Sequence, residues 1–151
     1  MQNITVRVYG LLINERNEIL VSDEIAMNRK LTKFPGGGLE FGEGPIETLK
    51  REFLEEFNQE IEVKEHFYTC DFFQYAFSST ELQMISIYYF VQTKGDFNIK
   101  ISEKPFDKEN FTIGDQTVRL IKLSEIRSEI FTLPSDKIVA EKLKNILKFE
   151  E

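Results

Sequence analysis

Three carboxylates, Glu52, Glu55 and Glu56, are the residues of this chain best placed to do chemistry. At 100° per helical residue, Ile46, Leu49, Phe53 and Phe57 form one apolar stripe, and the three glutamates gather on the adjoining face. Like charges at i,i+3 and i,i+4 repel by roughly 0.2–0.5 kcal/mol per pair on an exposed helix. Such a cluster beside a core-facing stripe asks for a cation, and converging hard oxygen ligands suit Mg²⁺ or Mn²⁺. Gly44-Pro45 marks the helix start, with proline at the first helical position, where its missing N–H costs nothing. A glycine run, Gly36-Gly37-Gly38, comes just before it. A glutamate-rich face alone reads as solvated surface, and a glycine run alone as a flexible loop. Their combination at this spacing is far more specific.

Gly37, five residues, Glu43, seven residues, then Arg51-Glu52-Phe53-Leu54-Glu55-Glu56 resembles the Nudix box, G-x5-E-x7-R-E-U-x-E-E-x-G-U, where U is a bulky aliphatic residue. Every charged position is present. Asn58 stands where the family has its last glycine, and asparagine tolerates the left-handed turn that closes a helix. Gln59 replaces an apolar residue, whose role Ile61 is expected to take over, and the aromatic Phe53 still suits a core position. None of these departures removes a metal-binding group.

The elements that must carry the box are readable to different degrees. Ile4–Tyr9 begins a strand reaching about Ile13, and after a turn at residues 14–17 a second strand starts at Glu18–Val21, giving a hairpin. Residues 25–33 read as irregular. Arg29, Lys30 and Lys33 there read equally as surface charge or as phosphate contacts. Beyond the helix, Ile61–Phe77 and Leu82–Thr93 read as long strands around a turn at Ser78-Ser79-Thr80. Phe67, Tyr68, Phe72, Phe73, Tyr75 and Phe77 could stack on a nucleobase, but at strand spacing they read as core or as a subunit interface, core above all. His66 reads as a packed or surface residue and Cys70 as structural. Residues 94–116 form a charged loop, and Thr117–Leu123 a strand. Ser124 is a candidate cap for a short turn, and Ser135 or Asp136 for a final helix carrying Ile138, Val139, Leu143, Ile146 and Leu147.

The resemblance directly covers about 23 residues, while the order of elements agrees with the family over nearly the whole chain. It implies an α/β class protein with the Nudix fold, an α/β/α sandwich with a mixed sheet and the box as loop-helix-loop. The implied reaction is hydrolysis of a pyrophosphate bond in a nucleoside diphosphate linked to another moiety, with Mg²⁺ (or Mn²⁺) as cofactor. Carried over by position, Glu52 and Glu56 are the principal metal ligands, Glu55 completes the set, and a backbone carbonyl of the glycine run, Gly36 by choice, adds another. Arg51 is an orienting residue paired with Glu43, or an ordinary i,i+4 partner of Glu55 or Glu47. The general base is Glu52 or Glu55 from the box, or an acid in the later loop, where Asp115 is preferred over Glu103 and Glu109. The alternative is a Nudix domain kept as a nucleotide-binding or regulatory module. Retention of all the motif's glutamates favours the enzyme.

Composition agrees with this expectation. At 151 residues the chain suits a single domain, 1–151, and 41% hydrophobic residues with 14 Phe support a sizeable core. A formal charge of −7 argues against a nucleic-acid polymer as partner, since phosphate backbones demand a basic footprint. A small nucleotide or nucleotide-conjugate substrate, screened by metal, escapes that objection. The single cysteine excludes an internal disulfide, and with no leader or long apolar run a soluble cytoplasmic protein is expected, with no membrane partner. The aromatic strands suggest a homodimer. The substrate's base is not encoded in the box, so specificity is expected in residues 67–77 and 96–116.

Overall fold

The glycine run is a strand. In a computed structural model, which describes residues 3–150 and the side chains of residues 3–146, eight strands and two helices follow along the chain. They are β1 (Asn3–Leu12), β2 (Glu18–Ala26), β3 (Arg29–Lys33), β4 (Gly36–Gly38), α1 (Pro45–Phe57), β5 (Ile61–Thr69), β6 (Tyr75–Ala76), β7 (Ser79–Thr93), β8 (Gln116–Lys122) and α2 (Pro134–Glu150). The result is a mixed α/β fold. The chain forms two compact units interleaved in sequence, Met1–Leu12 with Pro35–Lys100, and Ile13–Phe34 with Ile101–Glu151.

The first unit holds a mixed sheet of order β4-β1-β7-β5, with β6 on β7. β1 runs parallel to β7, from Asn3 opposite Leu82 to Leu12 opposite Val91, and antiparallel to β4. With both its edges taken, β1 cannot form the expected hairpin with β2, and of that hairpin a bridge of Ile13 to Ile19 remains. Tyr9 and Tyr88 lie opposite each other in the ladder and stack at 5.2 Å, fully buried. α1 packs on β1, β4 and β5 through Leu49 and Phe53, also fully buried, each burial being worth about 1.5–3 kcal/mol. The expected stripe is narrower than its pattern, because Ile46 is 43% exposed.

The strand expected over Ile61–Phe77 ends at Thr69, where the chain leaves the ladder and turns Cys70 and Gln74 inward. Consequently Phe72, Phe73 and Tyr75 are exposed and Phe67, Tyr68 and Phe77 half-buried, so the aromatic stripe is not core.

The second unit holds an antiparallel sheet of order β3-β2-β8. Residues 25–33 are regular after all. Met27 and Asn28 both take left-handed φ, 51° and 60°, closing a two-residue hairpin between β2 and β3. Phe34 stacks on Phe131 at 4.4 Å, and Ile19, Leu20, Val21, Leu31 and Val139 are fully buried. Buried Asp23 accepts from Arg119 Nε at 2.7 Å and from the Thr32 hydroxyl at 2.7 Å. α2 starts at Pro134, so Ser135 and Asp136 sit buried in its first turn instead of capping it. Ser124 likewise lies inside a 3-10 turn, Leu123–Glu125, and a second such turn spans Ser128–Ile130. Leu147, expected on the α2 stripe, falls outside the residues whose side chains are described.

Candidate active site

Arg51 organises the acidic cluster. Its position on the second turn of α1 lets one guanidinium reach both back to the preceding loop and along the helix. Nη2 donates to Glu43 Oε1 at 2.7 Å and to the Gly38 carbonyl at 2.8 Å, and Nε donates to Glu43 Oε2 at 3.0 Å. Nη1 donates to Glu52 Oε1 at 2.9 Å and to Glu55 Oε2 at 3.2 Å, with Glu40 Oε1 at 3.6 Å. The orienting pair with Glu43 and the i,i+4 pair with Glu55 therefore exist together. Glu43 also accepts from the Glu40 N–H and the Thr48 hydroxyl, both at 2.9 Å. Arg51 above all, then these two donors, favour the charged form and hold the Glu43 carboxyl down at about 2. The Glu43 pairing in turn pushes the Arg51 guanidinium upward.

The glycines are explained by what approaches them. Gly36 pairs with Tyr9, and a Cβ there would lie 2.0 Å from the Val8 carbonyl oxygen. At Gly37 a Cβ would fall 2.1 Å from the Glu52 carboxyl carbon. The Glu52 carboxylate thus rests in a cradle that only glycine leaves open, with Arg51 on its other side. Gly44 caps α1 and its N–H donates to Glu47 Oε2 at 3.2 Å, while Asn58 closes the helix in the left-handed conformation (φ 51°, ψ 38°).

Glu55 and Glu56 project from the exposed side of α1 beside the half-buried Glu52. Among the described residues no three acidic, His or Cys side chains form a group that could hold a metal, and Arg51 pairs with two of the three glutamates, Glu52 and Glu55. The donor set nevertheless fits a hard divalent cation: three carboxylates within five residues, one of them against glycine backbone.

Asp115 belongs to the second unit, where it accepts from Lys108 Nζ at 2.6 Å and the Thr112 N–H at 3.0 Å, and Lys108 lowers its pKa. Glu103 and Glu109 are exposed. The basic trio dissolves: Lys33 is buried with Glu24 at 3.6 Å, while Lys30 lies over the Phe106 ring at 5.1 Å and Arg29 is exposed. His66 is exposed and contacts the Thr69 hydroxyl at 2.8 Å. Cys70 is buried, accepts from Gln74 Nε2 at 3.5 Å, and burial pushes its thiol pKa up.

Three residues escaped the sequence reading. Thr48 and Glu40 complete the Glu43–Arg51 arrangement, and the i+5 spacing from Glu43 to Thr48 was the available signal. Gln59, at the position expected to be apolar, is fully buried and clamps a loop: Nε2 donates to the Glu60 and Asp96 carbonyls at 2.9 and 3.0 Å, and Oε1 accepts from the Asn98 N–H at 2.7 Å. Ile61 is buried beside it rather than in its place.

A family model described as the NUDIX domain matches residues 3–138. No curated protein sequence matches the chain. Solved structures do. The MutT protein of Methanosarcina mazei Go1 is similar with a TM-score of 0.68 at 21% identity, over 97% of each chain. The ORF135 protein of E. coli has a TM-score of 0.66 at 16% identity, covering 97% of this chain and 92% of that one. An ADP-ribose pyrophosphatase of Streptococcus suis 89-1591 has 0.59 at 15%, again over 97% and 92%. At these identities the likeness speaks for the fold. Among the described residues no helix is long and apolar enough to cross a membrane.

Proposed function

The chain belongs to the NUDIX family of pyrophosphohydrolases, and we propose that it is a Mg²⁺-dependent enzyme that hydrolyses the pyrophosphate bond of a nucleoside diphosphate linked to another moiety. The observation that carries this reading is the reach of Arg51, which ties strand β4, the loop carboxylate Glu43 and the helix carboxylate Glu52 into one arrangement. A binding module has no need of an arginine that fixes one acid in order to present another.

Glu52, Glu55 and Glu56, with the Gly36 carbonyl, would hold the divalent ion, Mg²⁺ or Mn²⁺. When bound, such an ion would neutralise pyrophosphate charge and lower the pKa of an attacking water. Within the protein, Arg51 orients Glu52, Glu43 fixes Arg51, and the glycine cradle sets how closely Glu52 approaches the β4 backbone. For the general base the box carboxylates Glu52 and Glu55 are favoured over Asp115, whose oxygens are already occupied by Lys108 and the Thr112 N–H. The substrate is taken to be a small nucleotide or nucleotide conjugate, consistent with an acidic chain of formal charge −7. The structure of an ADP-ribose pyrophosphatase among the similar folds makes ADP-ribose a first compound to try, beside the nucleoside triphosphates that the resemblance of the box leaves open. The exposed Phe72, Phe73 and Tyr75 are the surface on which a homodimer would form.

A phosphate-release screen tests the proposal. Nucleoside triphosphates, oxidised forms among them, ADP-ribose, dinucleoside polyphosphates and nucleotide sugars are offered with Mg²⁺ or Mn²⁺, and Glu56→Gln serves as blank. Metal-dependent hydrolysis lost in the blank is expected. Nucleotide binding without turnover on any compound would replace the enzyme by a binding module.

A further inference from the structure

β8 is the outer strand of its sheet, paired with β2 along one side, while on the other Ile101 bridges Val118. Beyond that bridge lies a cleft of about 690 Å³, within the second unit, and residues 119–122 all line it. Successive strand residues point to opposite faces, so a cleft touching four in a row runs along the strand's edge. Its other walls come from Glu18 at the start of β2, from residues 124–127 and Ile130 in and between the two 3-10 turns, and from Lys144 on α2.

Charge sets this cleft apart. In a chain of formal charge −7 it gathers Arg119, Lys122, Arg127 and Lys144 against Glu18 and Glu125. Arg119 is committed to Asp23, and the Glu18 carboxylate is already held by Asn14 at 2.9 Å and Arg16 at 2.8 Å. Lys122 stands opposite Glu18 in the ladder without displacing those partners. Arg127 and Lys144 make no ion pair among the described residues. Leu120, Ile126 and Ile130 supply an apolar wall. A lysine on an edge strand guards against strand pairing. That accounts for a lysine at position 122 without excluding it as a ligand, and leaves Arg127 and Lys144, from a turn and a helix, lining the same cleft as the apolar wall.

We propose that this cleft binds a small organic phosphate of mononucleotide size, the phosphate held by Lys122, Arg127 and Lys144 and the body of the ligand against Leu120, Ile126 and Ile130. The volume lies in the range of small-ligand pockets, and lysine and arginine give charge-assisted bonds to phosphate oxygens. The site shares no residue with the box, so it stands or falls independently of the catalytic reading.

The test is a titration of the ¹⁵N-labelled full chain with AMP in EDTA, which leaves metal-dependent binding out. Saturable shifts are expected at the amides of residues 119–130 and of Lys144, displaced by inorganic phosphate and much weaker with adenosine. Arg127→Glu with Lys144→Glu should weaken AMP at least about tenfold while peak dispersion stays that of a folded chain, and Lys122→Glu should act in the same direction. Three outcomes each overturn the proposal: no shift at those amides up to about 10 mM AMP, unchanged affinity in the double variant, or adenosine binding as tightly as AMP.

Discussion

Arg51 grips Glu43 with two roughly parallel bonds, Nη2 to Oε1 at 2.7 Å and Nε to Oε2 at 3.0 Å, joining the loop before α1 to the helix. A fork of this kind adds direction to charge, which a lysine would not supply. The free end of the same guanidinium holds Glu52.

Acid should dissolve that grip within a defined window. Glu43 has its pKa lowered from 4.5 to about 2, chiefly by Arg51, so the folded chain binds fewer protons there than the unfolded one. Its contribution is therefore fully present above about pH 4.5 and lost as pH falls toward 2. The Tm gap between the native chain and Glu43→Gln should be constant near neutrality and shrink through that window. A gap that does not change with pH would refute the pairing's role.

Two adjacent glycines should fail differently. Gly36→Ala drives a Cβ into the Val8 carbonyl at 2.0 Å, a backbone clash that should cost about 1–3 kcal/mol and lower Tm. Gly37→Ala meets only the end of the Glu52 side chain, at 2.1 Å, which can swing away. The fold should persist while kcat falls by roughly 10²-fold, because Glu52 is misplaced. Thermal melts and kinetics on both variants separate the two effects.

Gln59→Leu puts into the box the apolar residue its family pattern prefers, yet it should destabilise. The Asp96 carbonyl and Asn98 N–H lose their partner, at a cost of about 1–3 kcal/mol. Faster amide exchange at Asn98 together with a lower Tm is expected, and an unchanged exchange rate would show that the clamp is not what orders the loop.

The general base can be assigned by comparing Asp115→Asn with Glu55→Gln. Lys108 lowers the Asp115 pKa, and that pairing makes it a loop brace and a weak proton acceptor. Asp115→Asn should leave the acid limb of the pH–rate profile in place, with kcat within about threefold of the native value. Loss of that limb in Asp115→Asn would move the base to the loop.

What could be read from the chain is local, and what could not depends on partners distant in sequence. Arg51 with Glu43, Gly44-Pro45 and Asn58 lie within one helix and its two ends, where spacing alone fixes geometry. The β2–β3 hairpin was hidden because its turn uses Met27 in a left-handed conformation, where glycine would have been the signal. Lys33 looked like surface charge or a phosphate contact because its burial beside Glu24, on the neighbouring strand, has no local signal. Phe72, Phe73 and Tyr75 looked like core because nothing local says that β5 ends at Thr69. Gln59 looked like a defect until the Asp96–Asn98 loop supplied its hydrogen bonds.

The most direct measurement is kcat of the native chain, Glu52→Gln and Glu56→Gln at saturating Mg²⁺ on the best substrate of the screen, with a melt of each. Both variants should stay folded and lose turnover by roughly 10²–10³-fold or more. Near-native kcat in either one would contradict the assignment of these glutamates as metal ligands.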